Sequence, residues 1–450
     1  MLRVGLATVD FTPRPGLPLM GNYREDYAAR GVHDPLCAKA VVFADSGGGR
    51  AAVLALDLCM VDRENVALMR RLIARQSRVP PAHVLIHATH THSGPAPNDR
   101  YSFGMNLHRH AGEIKAFLSK AATAVALAEQ NLAEATLSVG RAVEDRVSFN
   151  RRLRRRDGAT QMNWEALAPG FDPSQIAAAW GTTDPQLTCL VVECDGRPAA
   201  AVVNFALHPA ILAGDNWLYS ADFPGYLAEA MSRIVGGGFV TVFLNGCSAD
   251  VNHVDYRDPL QGRGHPMAQR VGYMLAAAAH AAVRTRQPIE ADRVEVATER
   301  VALRRQRISD EQVRWCQRVL EHARLSPPRG MVDGLPDAFW ADLRLRMARE
   351  QDAPAETEVM TIRLGDAAIV GLPGEIFCQS GLQIKRRSCA PYTLVAELSN
   401  DAIGYVPPPE AFQQGGYEPT LGSTLFAEDS AERLLEAAVA QLDRLFGARQ

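Results

Sequence analysis

The chain has 450 residues, of which 47% are hydrophobic and 22% are charged, a balance typical of an ordered globular protein with a large buried core. The formal net charge is -3, and acidic and basic residues are mixed along the chain, so no basic stripe can neutralise a phosphate backbone. This composition excludes nucleic acid as a partner. The densest basic run, at residues 151–156, is interpreted as a short solvated loop.

The N-terminus and the cysteines indicate where the protein resides. The first ten residues predict a strand and lack the charged start and apolar core of an export signal. The most apolar later stretch, residues 273–283, is too short to span a bilayer, which takes roughly 20 residues, so we predict no stable membrane insertion. The eight cysteines are scattered without a CxxC pair, so no disulfide framework is expected. These features predict a cytoplasmic protein.

Short apolar runs that end in polar or Gly/Pro turns alternate with longer amphipathic stretches. The apolar runs predict strands at residues 51–56, 84–88, 199–207, 240–244 and 367–371. The amphipathic stretches predict helices at residues 64–76, 111–130, 221–234, 266–285, 310–322, 338–349 and 430–446. This alternation predicts an α/β fold in which helices flank a mixed, largely parallel central sheet, without an internal repeat. Residues 152–173 and 326–336 are predicted to be long surface loops.

Two histidines follow the predicted strand at residues 84–88, within the segment Thr-His-Thr-His-Ser-Gly-Pro at residues 89–95. In extended backbone, alternate residues face the same side, so His90 and His92 present their imidazoles together. Imidazole is a preferred zinc ligand, and a catalytic zinc typically has three protein ligands and one water. The motif fits either a metal site or two histidines that satisfy backbone groups in a tight loop.

Two further polar residues stand at the ends of predicted strands. His208 follows the strand at residues 199–207, and Glu375 follows a Gly/Pro turn after the strand at residues 367–371. Alone, such a histidine is usually structural, and such a carboxylate favours the N-terminus of the next helix. Together with His90, they form a His2Glu set, which is a known catalytic zinc arrangement with one open position.

A turn of small residues at 245–252 follows the predicted strand at residues 240–244 and presents Asp250. This carboxylate fits two roles, a turn cap or the general base that accepts a proton from an attacking water. The sequence contains no HExxH, GxSxG or Walker A motif, so it does not match the classes that these motifs define. We therefore predict a metal site at the C-terminal ends of the strands.

Five segments, taken in order along nearly the whole chain, form a recognisable set. They are Gly-Val-His-Asp-Pro-Leu at residues 31–36, the segment at 89–95, Phe-Asn-Arg at 149–151, Pro-Gly-Glu at 373–375, and residues 400–405 with Tyr417-Glu418. This set resembles the catalytic domain of the neutral/alkaline ceramidase family. The resemblance implies one zinc ion per chain, with the ligands His90, His208, Glu375 and Tyr405. It also implies that Asp250 is the general base and that the groups around the substrate carbonyl are His92, Arg151 and Tyr417.

Two departures from the family pattern narrow the expected activity. Asn252 stands where the family has a serine, which removes a hydroxyl expected near the substrate head group. The chain ends at Gln450 after one helix, so we expect a single catalytic domain over residues 1–450 without the family's C-terminal β-sandwich. The expected substrate is a small molecule that is smaller or more polar than ceramide.

The predicted function is hydrolysis of an N-acyl amide bond. Asp250 would accept the proton of the attacking water, and His92 with Tyr417 would stabilise the oxyanion. Hydrolysis of an ester or lactone stays open, as does a non-catalytic relative that binds metal or ligand, and His and Glu ligands also accept manganese, iron or cobalt. The loop at residues 95–110 contains Tyr101, Phe103 and Met105. It is expected either to border the substrate pocket or to be a surface loop that packs these three side chains onto the core.

Overall fold

The structure is a computed structural model that describes residues 1–24, 26–98, 105, 107–236, 238–259, 261–325, 331–332 and 335–447. The α-helices in these residues are α1 (Arg63–Ala74), α2 (Ala111–Gln130), α3 (Phe223–Val235), α4 (His265–Arg284), α5 (Asp310–Leu325), α6 (Asp337–Glu350), α7 (Cys378–Arg387), α8 (Pro409–Gln414) and α9 (Ser430–Phe446). All seven predicted helices are present at nearly the predicted bounds. In the described part of the chain, no helix is long and apolar enough to cross a bilayer.

Twelve principal strands form three sheets. The first sheet contains β1 (Leu2–Asp10), β2 (Cys37–Asp45), β3 (Arg50–Leu56) and β4 (Val84–Ala88). The second contains β5 (Thr136–Val143), β6 (Gln186–Cys194), β7 (Arg197–Phe205) and β8 (Val240–Asn245). The third contains β9 (Val294–Leu303), β10 (Ala355–Leu364), β11 (Ala367–Gly371) and β12 (Tyr392–Ala396).

The remaining strands are short. Those that extend the first two sheets or pair around the site are Gly31–Val32, Ala133–Glu134, Phe149–Asn150, Leu218–Tyr219, Val251–Asn252, Gln287–Pro288, Glu375–Ile376 and Tyr405–Val406. Two small separate sheets are formed by Arg152–Arg155, Thr160–Met162 and Ile176–Ala179, and by Met331–Val332 and Leu335–Pro336.

The three sheets are built by one repeated series of connections. In each, the first strand pairs with the second, the second forms a hairpin with the third, and a helix then leads to a fourth strand parallel to the third. The connecting helices are α1, α3 and α7, and the principal strand orders are β4-β3-β2-β1, β8-β7-β6-β5 and β12-β11-β10-β9. The prediction of no internal repeat is therefore wrong at the level of topology, because the three units share their connections.

The predicted mixed α/β fold is confirmed, but the prediction of a largely parallel sheet is wrong. Only the edge pairs β3–β4, β7–β8 and β11–β12 run parallel within the three principal sheets, and the other pairings there are antiparallel. The reason is turn chemistry. Asp195 and Gly196 join β6 to β7 with φ values of 51° and 73°, the conformation of a tight hairpin turn. Such a turn can connect only antiparallel strands.

One face of each sheet contributes to a shared core between the three units, where Phe43, Leu244 and Ile369 are buried. The opposite faces are covered by helices, with α2 on the first sheet, α3 and α4 on the second, and α9 on the third. This packing brings the three parallel edge pairs together at the centre of the molecule. The loops that follow β4, β7 and β11 therefore meet in one place.

The segments that join the first and second strands of each unit are long, and they cover this meeting point. The predicted surface loop at residues 152–173 is wrong, because residues 152–179 include a three-stranded antiparallel sheet in which Arg152 and Leu153 are buried. Of the second predicted loop, at residues 326–336, only residues 331–332 and 335–336 are described, and they form a short two-stranded ladder.

Candidate metal centre and active site

His90 stands two residues beyond β4, in a sharply turned backbone. Its φ of 73° lies in the left-handed region, which a residue with a side chain adopts only at a local cost. Its Nδ1 donates a hydrogen bond of 2.7 Å to the carbonyl oxygen of Cys59. Because a carbonyl only accepts, this bond leaves Nε2 as the nitrogen with the free lone pair.

His208 approaches the same point from the second unit. Its Nδ1 lies 3.3 Å from the carbonyl oxygen of Ser248, so its Nε2 also presents a lone pair. The Nε2 atoms of His90 and His208 are 3.0 Å apart, and both side chains are buried. Two residues from different sheets thus direct ring nitrogens at each other.

Glu375 comes from the third unit, just beyond β11. Its Oε2 lies 3.4 Å from His90 Nε2 and 3.9 Å from His208 Nε2. Glu375 is 4% exposed, and its Oε2 has no hydrogen-bond partner among the described residues. The short strand Glu375–Ile376 pairs in parallel with Tyr405–Val406, which sets Tyr405 beside Glu375. Burial and the Glu375 carboxylate raise the pKa of Tyr405.

The donor set fits a metal cation. Two imidazole nitrogens with free lone pairs and an unpartnered carboxylate oxygen converge in a buried space, which is unfavourable without a positive charge between them. Each histidine is oriented by a carbonyl at its other nitrogen, as is usual for metal-binding histidines. The sequence analysis predicted this group of three residues as a set, and the structure brings them together.

His92 lies next to the cluster, with its Nε2 3.3 Å from His90 Nε2. Its Nδ1 has no hydrogen-bond partner among the described residues. Burial lowers the pKa of His92, and the positive charge of Arg24 acts in the same direction, which favours the neutral ring. A neutral imidazole this close to the cluster can donate or accept one proton.

Two residues that hold His92 were missed by the sequence analysis. The guanidinium of Arg24 is buried and donates to backbone carbonyls, including that of His92 at 3.2 Å. Gly21 has a φ of 110°, and a Cβ at this position would lie 2.4 Å from Cγ of His92. The Gly-Asn pair at residues 21–22 is a turn signal, but nothing local indicates that this turn lies on a histidine.

Arg151 belongs to a buried ion-pair group rather than to the solvated loop that its basic run predicted. Its Nε donates to Glu418 Oε1 at 2.7 Å, and Arg152 Nη1 donates to Glu418 Oε2 at 2.7 Å. All three residues are at most 3% exposed. Arg151 Nη2 has no hydrogen-bond partner among the described residues, and the guanidinium carbon lies 5.4 Å from the ring centre of Tyr405. The group therefore carries a net positive charge beside the cluster.

Asp250 contacts this group through the backbone of Arg151. Its Oδ1 accepts from the backbone N–H of Cys378 at 2.7 Å, and its Oδ2 accepts from Asn150 Nδ2 at 2.8 Å. Its backbone carbonyl also accepts from the N–H of Arg151 at 2.8 Å. Burial raises the pKa of Asp250 to about 6. This value suits a carboxylate that exchanges protons near neutral pH.

A cavity opens beside the cluster. Its polar side contains His90, His92, Glu375, Tyr405 and Tyr417. Its apolar wall includes Met20, Tyr27, Met60, Met105, Trp340 and Leu343. Met105 was predicted to border the pocket, whereas Tyr101 and Phe103 lie outside the described residues. The lining of the cavity therefore combines polar site residues with apolar side chains.

Tyr417 links the histidine–glutamate cluster to the wall of the cavity. Its ring centre lies 5.4 Å from that of Tyr405 and 6.0 Å from that of Trp340. Trp164 packs edge-on against Tyr417 with ring centres 5.6 Å apart. The structure thus places Tyr417 beside Tyr405, although the two are separated in the chain.

Asn252, the residue that departs from the family pattern, is engaged in a reciprocal amide pair. Asn252 Nδ2 donates to Asn163 Oδ1 at 2.8 Å, and Asn163 Nδ2 donates to Asn252 Oδ1 at 2.7 Å. This pair fixes the turn that places Trp164 at the site. The side chain of Asn252 therefore stabilises the neighbouring segment that contains Asn163.

Glu397 is a further buried carboxyl group that the sequence analysis missed. Its Oε1 accepts from Ser248 Oγ at 2.5 Å, and its Oε2 accepts from the N–H of Ile376 at 2.7 Å. The side chain is fully buried, and burial raises the pKa of Glu397 to about 8. No local pattern marks this glutamate, which follows β12 directly.

Comparisons with known proteins agree with this fold. The sequence model of the neutral/alkaline non-lysosomal ceramidases, N-terminal part, matches residues 2–252. Since this match covers more than half of the chain, the protein belongs to that family. Neutral ceramidase B of Dictyostelium discoideum is 27% identical over 265 residues, which are 56% of this chain and 35% of that protein.

Other relatives extend the similarity. The neutral ceramidase of Mycobacterium tuberculosis is 24% identical over 489 aligned positions, covering 95% of this chain and 74% of that protein. The crystal structure of the neutral ceramidase from Pseudomonas aeruginosa superimposes with a TM-score of 0.76 at 19% identity, covering 99% of this chain and 74% of the other. The fold is therefore that of the neutral ceramidases. The match to the Dictyostelium relative spans about a third of that relative's length.

Proposed function

We propose that this protein is a zinc-dependent hydrolase that cleaves the amide bond of an N-acyl substrate. The observation that carries the proposal is the convergence of His90, His208 and Glu375 in one buried cluster beside an apolar cavity. A His2Glu set is a known ligand set of catalytic zinc. Membership of a ceramidase family supports an amide as the bond that is cleaved.

The proposed ligands of one zinc ion are His90, His208, Glu375 and Tyr405. When bound there, zinc would polarise the scissile carbonyl and lower the pKa of the attacking water. The carbonyl oxygens of Cys59 and Ser248 hold the two imidazoles in the orientation that the ligand role requires.

The other site residues are proposed to move protons and to stabilise charge. Asp250 is the general base, since each of its oxygens accepts one hydrogen bond and keeps a second lone pair. His92 and Tyr417 stabilise the oxyanion that forms on the carbonyl. Arg151 supplies positive charge to the same region through its unpartnered Nη2.

The lining of the cavity bears on the substrate. The sequence predicted a substrate smaller or more polar than ceramide, and the wall formed by Met60, Trp340 and Leu343 favours an apolar acyl group. We therefore propose that the substrate has an apolar acyl chain and differs from ceramide in its size or its amine portion. Asn252 has no hydroxyl group with which to bind the amine portion of the substrate.

Metal content provides the first test. The protein is purified without added metal and analysed by mass spectrometry beside His90→Ala, Glu375→Ala and the control His280→Ala, which changes a partly exposed histidine of α4. We expect about one zinc per chain in the wild type and in the control, and none in the two site variants. Hydrolysis of N-acyl amides, each paired with its ester, then defines the reaction.

The possible outcomes separate the competing functions. Faster turnover of every ester than of its amide would replace the amidase proposal with an esterase or lactonase. A folded wild type that holds no metal and refuses added zinc would overturn the metal mechanism. Zinc binding without turnover of any substrate would indicate a non-catalytic binding protein.

We also propose that the chain forms one catalytic unit in a reducing compartment such as the cytoplasm. The core shared by the three sheets supports a single unit, because one face of each sheet is covered by the other two sheets. All eight cysteines are free, as a reducing compartment would keep them.

A further inference from the structure

We infer that Glu397 is a positioning residue for the metal site, acting on two ligands at once through Ser248 and Ile376. This inference rests on the proposed zinc site and adds a residue to it. Glu397 directly follows β12, at the parallel edge of the third sheet, and its side chain is fully buried.

The first link runs to His208. Glu397 Oε1 accepts from Ser248 Oγ at 2.5 Å, and the carbonyl oxygen of Ser248 faces His208 Nδ1 at 3.3 Å. Asn245 Nδ2 also donates to Ser248 Oγ at 3.0 Å. The carboxyl group of Glu397 therefore anchors the residue that fixes the ring orientation and tautomer of His208.

The second link runs to Glu375. Glu397 Oε2 accepts from the N–H of Ile376 at 2.7 Å, and Ile376 is the residue next to Glu375. The N–H of Glu375 donates to the carbonyl of Gly404 at 2.9 Å. The backbone of this ligand is therefore held on one side by Glu397 and on the other by the segment that contains Tyr405.

The backbone of Glu397 adds a third connection. Its N–H donates to the carbonyl of Asn245 at 3.1 Å, which ties the end of β12 to the end of β8. One residue thus joins the second and third units at the point where their ligands emerge. A side chain in this position sets the distance between His208 and Glu375.

The matched control is Asp222, a buried carboxyl group that also accepts one hydrogen bond at each oxygen, in another place. Its oxygens accept from the N–H groups of Leu212 at 2.9 Å and Phe223 at 2.6 Å, and it is fully buried. Replacing Asp222 with Asn removes a similar carboxyl group from the core without touching the Ser248 and Ile376 links. The comparison separates a general loss of stability from a specific loss of ligand positioning.

The test measures zinc affinity by competition with a chromophoric chelator in the wild type, Glu397→Gln, Ser248→Ala and Asp222→Asn. We expect Glu397→Gln to weaken zinc binding by about 10- to 100-fold, as is typical when a residue that orients a metal ligand is changed. Ser248→Ala should weaken it less, because the Ile376 link remains. Asp222→Asn should bind as the wild type does. The visible spectrum of the cobalt-substituted protein should change in Glu397→Gln, whether or not it also changes in Ser248→Ala.

Each result is decisive. Equal zinc affinity in wild type and Glu397→Gln would overturn the inference while leaving the proposed zinc site intact. Equal weakening by Asp222→Asn would also overturn it, since the effect would then be one of general stability. If Glu397→Gln fails to fold, Ser248→Ala carries the test, and wild-type affinity in that variant would overturn the link to His208. A wild type that binds no zinc would reject the proposed function itself.

Discussion

Glu418 is the carboxylate of the buried ion-pair group near the site. It is fully buried and accepts from Arg151 and Arg152, each at 2.7 Å. Two positive charges and one negative charge therefore share a space from which water is excluded. In such a group, removing one partner leaves the others as buried charges without compensation.

The change Glu418→Gln should destabilise the protein strongly. We expect a loss of about 3–5 kcal/mol in the free energy of unfolding, because two buried guanidinium groups then lack their counter-charge. Denaturant unfolding measures the loss. The control is Glu436→Gln, which breaks the exposed pair with Arg387 and should cost at most about 1 kcal/mol. Equal effects of the two changes would contradict this account of the buried group.

The raised pKa of Asp250 predicts how the rate depends on pH. A general base acts only when deprotonated, so kcat/KM should increase with pH through about 6, the value to which burial raises the pKa of Asp250, and then level off. Asp250→Asn should lower kcat by roughly 100-fold or more. The residual activity of this variant should lack the rise near pH 6. An unchanged profile in Asp250→Asn would assign the rise to another group.

At the scale of elements, short turns decide how the strands pair. The Asp195-Gly196 turn connects β6 and β7 with positive φ at both residues. In each unit, one helix separates the hairpin from the fourth strand. A site residue, or a residue that supports the site, follows that fourth strand. The turns therefore set the direction of the strands that end at the candidate metal site.

The change Gly196→Ala tests the turn. A Cβ at this position meets no atom within 4 Å, so only the positive φ opposes the change, at a cost of about 1–2 kcal/mol. The control is Gly112→Ala in α2, where a Cβ also meets nothing within 4 Å and no positive φ is required. That change should be neutral or slightly stabilising. Thermal unfolding of the two variants makes the comparison, and equal effects would reject the role of the backbone.

At the scale of the whole molecule, each of the three topologically equivalent units contributes to the proposed ligand set, and the third contributes both Glu375 and Tyr405. His90 follows β4 of the first sheet, His208 follows β7 of the second, and Glu375 follows β11 of the third. A cation at this point would connect all three units. The metal is then expected to stabilise the fold as well as to support the reaction.

Zinc should therefore raise the stability of the protein in a concentration-dependent way. At a free zinc concentration 100 times the Kd, the gain in the free energy of unfolding is about 2.7 kcal/mol. Unfolding in zinc-buffered solutions and with a chelator measures this gain. Glu375→Ala should fold but show no response to zinc, whereas His280→Ala should respond as the wild type does. A wild type with the same stability in zinc and in chelator would contradict the prediction.

Local patterns in the sequence were sufficient for several features. Seven of the nine α-helices in the described residues were predicted from apolar residues at helical spacing, and strands such as β4 and β8 from continuous apolar runs. Strands β2, β5, β6, β9, β10 and β12 were missed. In β5 and β9, exposed polar residues such as Arg141 and Glu295 interrupt the apolar pattern. The hairpin signal Asp195-Gly196 was present in the sequence and was not used.

The candidate ligands were also accessible from the sequence, because His90, His208 and Glu375 each follow an apolar run that ends in a turn. Their supporting residues were not. Arg151 and Glu418 are separated by 267 positions, and Ser248 and Glu397 by 149. Nothing in the sequence around a charged residue indicates which distant residue will neutralise its charge.

The sequence by itself determined which segments become helices and core strands and which polar residues stand at strand ends, since these depend on neighbours a few positions away. The tertiary structure alone decided that three sheets share one core, that most strands run antiparallel, and that Glu397, Glu418 and Arg24 support the site. These features depend on how sheets pack, and packing joins residues according to shape and burial rather than distance along the chain.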